Sequence, residues 1–101
     1  MKIVINNCYG GVFLSDAAID KLKEKGFTEE EIYDFPRHHP ALVEVVEELG
    51  KDASANYMSE LVVVDVNVKD KYYIYEYDGL EEVYTEETIP WIYVNNENTS
   101  N

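Results

Sequence analysis

The sequence is poor in the residues that most often carry chemistry. It has one cysteine, Cys8, one arginine, Arg37, and two adjacent histidines, His38 and His39. A single cysteine excludes an internal disulfide and fits a reducing compartment. His38 and His39 diverge as chain neighbours, and no second cysteine or H-x-x-x-H spacing completes a tetrahedral metal set. No Asp-rich calcium loop, Walker loop or G-x-G-x-x-G occurs, so neither a metal nor a cofactor is expected. Hydrophobic runs all fall short of the roughly 20 residues of a membrane helix. The start MKIVINN carries no apolar signal core, and an unprocessed cytoplasmic protein is the expectation. Internal repeats and domain linkers are lacking too.

Positive charge is equally scarce. Eight Lys and Arg face 21 Asp and Glu, a net charge of -13. The first 26 residues hold four lysines against three acids, a balance of +1, which leaves -14 for the remainder. Such a field repels nucleic-acid backbones and anionic membranes and attracts basic protein surfaces, or simply keeps the chain soluble. Hydrophobic residues make up 46% and aromatics 13% of the 101 residues, enough to fill a core in one domain and to argue against wholesale disorder.

Lys2–Asn6 is β-branched and reads as a strand, followed by a tight Cys8-Tyr9-Gly10-Gly11 loop. Ser15 caps a helix over Asp16–Lys25 that Gly26 stops, with Ala18, Ile19 and Leu22 as its buried stripe. Thr28-x-x-Glu31 is a capping box for a short helix that ends before Phe35-Pro36. Pro40 opens a helix over Ala41–Leu49, with Leu42, Val45, Val46 and Leu49 on one face and Glu44, Glu47 and Glu48 on the other. Lys51–Ser59 is ambiguous between loop and helix. Leu61–Val68 alternates, predicting Val62, Val64, Val66 and Val68 toward the core. Tyr72–Tyr77 and Leu80–Thr85 flank Asp78-Gly79, a strong hairpin signal, and Trp91–Val94 reads as a last strand. The fold class is α+β: an N-terminal strand, two to three helices, then an antiparallel β-meander of three to four strands. Residues 1–94 form the single domain and 95–101 a polar, disordered tail.

Four features are candidates for function. Cys8, at a strand end before a helix N-terminus, could be a thiolate nucleophile with His38 or His39 as base, although a small buried cysteine in a turn explains it as well. The Gly10 and Gly11 amides could meet an anion, or merely make a turn. Arg37 lies at the mouth of a helix, where its planar fork suits phosphate, while a salt bridge to one of many acids is the plainer reading. Tyr73, Tyr75 and Tyr77 share one strand face, with Tyr72 and Ile74 on the other. Both faces are then to be covered, the helices on one side and a second subunit on the other, and tyrosines also stack on planar bases.

Three segments resemble a family of short phage and prophage proteins. They are MKIVIN-x-CYGG-x-x-LS at Met1–Ser15, R-x-x-P-x-LVxVVEELG at Arg37–Gly50 and EYDG-x-E within Glu76–Glu82. Together they cover about a third of the chain in the family's order. The chain departs at Val12, where the family has phenylalanine, and at His39, where an acid is common. It departs again in the acidic 84–94 stretch, which replaces a basic, tryptophan-containing tail. Proteins of this kind are often anti-defence factors, and some are sponges that bind nucleotide immune signals without cleaving them. The resemblance thus implies a homo-oligomeric binding protein for a small nucleotide-type ligand. Arg37, His38 and the turn Cys8, Tyr9, Gly10 and Gly11 would hold phosphates, and Tyr73 and Tyr75 would stack the base. An acidic inhibitor or DNA mimic that engages a basic host defence protein is the first rival. A nucleotide-degrading enzyme using Cys8 or a histidine is the second.

Overall fold

Strand β1, Lys2–Asn6, pairs antiparallel with β2, Leu61–Asp65, so the first strand is closed by one that comes after every helix of the described residues. The computed structural model describes residues 1–88; the strand expected at Trp91–Val94 and the tail 95–101 lie outside the described residues. In the β1–β2 register Ile3 faces Val64, Val4 faces Val63 and Ile5 faces Val62. Alternation then gives each side of the sheet its own set. Val4, Leu61 and Val63 join the helical core, whereas Ile3, Ile5, Val62 and Val64 share the opposite face, where β1 meets β4. This corrects the expected inward set on β2. Pairing with β1 fixes the register, and it turns Leu61 and Val63, not Val62 and Val64, toward the helices. The strand also ends at Asp65, before Val66 and Val68.

Helix α1, Asp16–Glu24, starts where Ser15 Oγ accepts from Ala18 N at 3.1 Å, and it buries Ala18 and Leu22. The capping box forms in full before α2, Glu29–Tyr33: Thr28 Oγ1 accepts from Glu31 N, and Glu31 Oε1 accepts from Thr28 N. Helix α3, Pro40–Leu49, buries Leu42, Val43, Val45 and Val46. Its apolar stripe is wider than the sequence suggests because α3 packs on α1 and on both strands of the sheet. A 3-10 turn at Gly50–Ala53 extends α3 into the segment that was ambiguous.

Strands β3, Tyr72–Tyr77, and β4, Leu80–Thr85, form a separate two-stranded ribbon. Asp78 and Gly79 turn it with φ of 52° and 93°, the paired left-handed conformations of a tight hairpin. The fold is therefore α+β, with an N-terminal strand, three helices and then antiparallel strands. The late strands do not make one continuous meander: β2 returns to β1, and β3–β4 stands apart.

Candidate functional site

Every second N–H and C=O of β1 points away from β2 and needs a partner elsewhere. Val4 N donates to Arg37 O at 2.9 Å, and Arg37 Nη1 donates back to Val4 O at 3.2 Å. Asn6 N donates to Glu81 Oε1 at 2.9 Å. The two side chains that serve this edge also clasp each other, Arg37 Nη1 to Glu81 Oε1 at 2.6 Å and Nη2 to Oε2 at 2.8 Å. Glu81 is 6% exposed and the Arg37 side chain 27%. Arg37 and Glu81 thus stand where a third strand would, closing the edge of β1. Of the five N–H donors of the guanidinium, three are engaged among the described residues. The remaining pair, Nε–H and the second Nη2–H, lies along one edge of the planar group.

A second cluster gathers three loops. Gly10 N donates to Asp78 O at 2.9 Å and Gly11 N to Met58 O at 3.0 Å. Gly10 has φ of +143°, and a Cβ there would overlap the Met58 carbonyl; a Cβ on Gly79 would overlap the Gly10 backbone. These glycines permit the loops to touch. The two amides that the sequence offers to an anion are both engaged by carbonyls. At the centre sits Asn6, fully buried, whose Nδ2 donates to Cys8 O and Gly79 O while its Oδ1 accepts from Glu60 N at 2.7 Å. Nothing in the sequence distinguishes Asn6 from Asn7. Its position as the last inward residue of β1 gives it this role.

The Cys8 thiol is half-buried and donates to Asn6 Oδ1 at 3.6 Å. Both histidines are engaged elsewhere. His38 Nδ1 meets the Tyr72 hydroxyl at 2.7 Å. Burial raises the Tyr72 phenol above its ordinary range, against the opposing pull of Arg37 and a His38 hydrogen bond. His39 Nδ1 accepts from Ala41 N at 3.1 Å, capping α3, and its ring stacks on Phe35 at 3.9 Å. Among the described residues, no group of three or more His, Cys, Asp or Glu is arranged to hold a metal. None of the described helices is long and apolar enough to cross a membrane.

The sequence candidates do not converge on one point. Cys8 to Gly11 lie at the hairpin tip, Arg37 lies beside β1 and β4, and His38 meets Tyr72 of β3. Tyr73 and Tyr75 are exposed with Tyr77 on the outer ribbon face, where Tyr75 also leans on Tyr84 at 6.3 Å. Arg37 lines one cavity, and His38 lines a separate, shallower depression beside Met1, Lys2 and α3. The Arg37 cavity, about 200 Å³, has buried Val4, Ile32, Leu42 and Leu61 inside. Exposed Tyr33 and Val12 stand at its mouth. Arg37 is the one charged residue that lines it. Sequence reasoning missed Tyr33 and this cavity. The sequence marks Tyr33 only as the aromatic that follows Ile32 at the end of the short helix.

Much of the positive charge elsewhere is paired at the surface. Lys21, Lys23 and Lys25 of α1 pair with Glu48, Glu29 and Glu44, and Lys2 pairs with Glu47. The chain matches no family model, no curated protein and no solved structure.

Proposed function

We propose that the chain is a phage-encoded, non-enzymatic binding protein that sequesters a small nucleotide-derived immune signal in the host cytoplasm. The observation that carries this reading is the Arg37 cavity. It combines an apolar interior, a tyrosine able to stack on a ring, and a guanidinium edge with two donors to offer. The resemblance to phage proteins supplies the biological setting. At about 200 Å³ the cavity holds only part of a nucleotide, since complete small-molecule sites run to roughly 300–1,000 Å³. The rest of the ligand lies over the mouth, against Tyr33 and Val12. A second copy of the chain covers the tyrosine face of the ribbon, a homo-oligomer that sedimentation velocity would reveal.

The test is a thermal melt of the protein with a panel of cyclic and linear nucleotide signals, followed by heat denaturation and analysis of what is released. Capture raises Tm, by mass action on the folded state, and returns the ligand intact. Release of an altered product supports a nucleotide-degrading enzyme and overturns the reading. The charge of -13 together with exposed Tyr73, Tyr75 and Tyr77 favours one other reading, an acidic inhibitor of a basic host defence protein. Such a protein ignores nucleotides and binds its partner with steep salt dependence.

A further inference from the structure

Resting on that reading, we infer that the cavity takes the uncharged base of the ligand, with an acceptor edge on Arg37, and leaves the phosphates outside. The argument starts from charge. Arg37 would be a phosphate clamp if its fork were free, but Glu81 occupies the end of that fork through two short hydrogen bonds. The carboxylate is nearly buried and its charge offsets that of the guanidinium, so the pair presents almost no net charge to the cavity. A phosphate placed against Arg37 would lie close to the Glu81 carboxylate and would surrender its hydration to apolar walls. An uncharged ring meets neither obstacle.

Shape and donors point the same way. Apart from Arg37 and the exposed Tyr33, every lining side chain is aliphatic or phenyl. The volume of about 200 Å³ suits one bicyclic heteroaromatic ring. Among the described residues Val4 O and Glu81 take three of the donors, which leaves the parallel pair Nε–H and Nη2–H for a ligand. Two parallel donors match two adjacent acceptors on a ring, as guanidinium matches the O6 and N7 of an oxopurine. An aminopurine turns an N–H₂ donor toward the same edge and mismatches. Tyr33, two-thirds exposed at the mouth, is placed to close over the ring by stacking.

The experiment measures binding of inosine, inosine monophosphate and adenosine to the full chain by calorimetry at low and high salt. It repeats inosine on Val12→Trp, which fills the mouth at an exposed position, and on Tyr33→Ala. Inosine is expected to bind at least as well as its monophosphate, with little salt dependence, and about tenfold more tightly than adenosine. Val12→Trp is expected to weaken inosine by about tenfold or more, and Tyr33→Ala by about fivefold. A monophosphate preference of about tenfold that fades with salt would overturn the inference while leaving nucleotide capture intact. So would inosine binding that ignores Val12→Trp, or equal binding of adenosine. Inosine bound where no nucleotide signal is captured keeps the cavity assignment and sinks the proposed function. No binding of any of these probes or of any nucleotide signal sinks both.

Discussion

Arg37 and Glu81, 44 residues apart, meet fork to fork at 2.6 and 2.8 Å and between them satisfy three polar contacts at the open edge of β1. The pair also ties the ribbon to the rest of the fold, because Glu81 belongs to β4 and Arg37 to the segment that leads into α3.

Removing one member leaves a buried charge without its partner. Arg37→Ala strands the Glu81 carboxylate with Asn6 N as its remaining hydrogen bond, and the expected loss is about 3–5 kcal/mol. Arg37→Lys keeps the charge but not the fork and falls between that variant and the parent. Urea denaturation checks both. A loss under about 1 kcal/mol for Arg37→Ala would mean that the edge of β1 is closed by something else. Ligand binding is therefore better probed at Tyr33 or Val12, where the fold is not at stake.

The glycines separate into two classes. Gly10→Ala and Gly79→Ala place a Cβ on the backbone of another loop at a positive φ, so each is expected to destabilise by about 3 kcal/mol or more. Gly26→Ala has open space around it and bears only the cost of its φ of +102°, about 1 kcal/mol. Thermal melts of the three variants give the ranking. Equal losses at all three positions would contradict the three-loop contact.

His39 takes a place where a metal ligand or catalytic base was conceivable, yet it serves α3 as a cap and Phe35 as a stacking partner. His39→Ala is expected to cost about 1–3 kcal/mol, the sum of a lost cap and lost aromatic contacts. His39→Asn restores the cap alone and recovers about half. If the alanine and asparagine variants melt together, the cap contributes little.

Local signals in the chain are legible where a single turn or cap decides the outcome. Ser15, the Thr28–Glu31 box, Pro40 and Asp78-Gly79 each act within a few residues, and each element begins or turns where they indicate. Pairing across long separations is not written locally. That β2 returns to β1, turning Leu61 and Val63 inward, depends on a contact between residues about sixty positions apart. The same limit hides the partner of Arg37 among 21 acids, although a salt bridge was the plainer reading of that residue. It hides Asn6 too, whose role follows from loops that meet only in the folded chain. Tyr33 escaped notice because no periodic pattern singles out a residue at a cavity mouth.

The alkaline limit of stability follows from four groups. Tyr84 is raised above its ordinary 10.0 by its hydrogen bond to Glu82, and Tyr72 by burial. Lys2 and Lys25 are raised above 10.5 by hydrogen bonds to Glu47 and Glu44. All four hold their protons more tightly in the folded chain than in the unfolded one. Their contribution is complete below about pH 10, and it is lost as the pH climbs through the folded values, because the unfolded chain releases protons first. Glu44 acts at the other end: Lys25 lowers it, so its contribution is present above 4.5 and lost in acid. All five groups keep contact with solvent, so each effect is small and screened by salt. Tm is expected to hold across neutral pH and to begin falling above about pH 10, more steeply at low salt. Phenolate absorbance of the folded protein should place the ionisation of Tyr72 and Tyr84 above 10.0. Glu82→Gln should lower that of Tyr84, and a titration unchanged by that substitution would show that Glu82 does not hold the phenol proton.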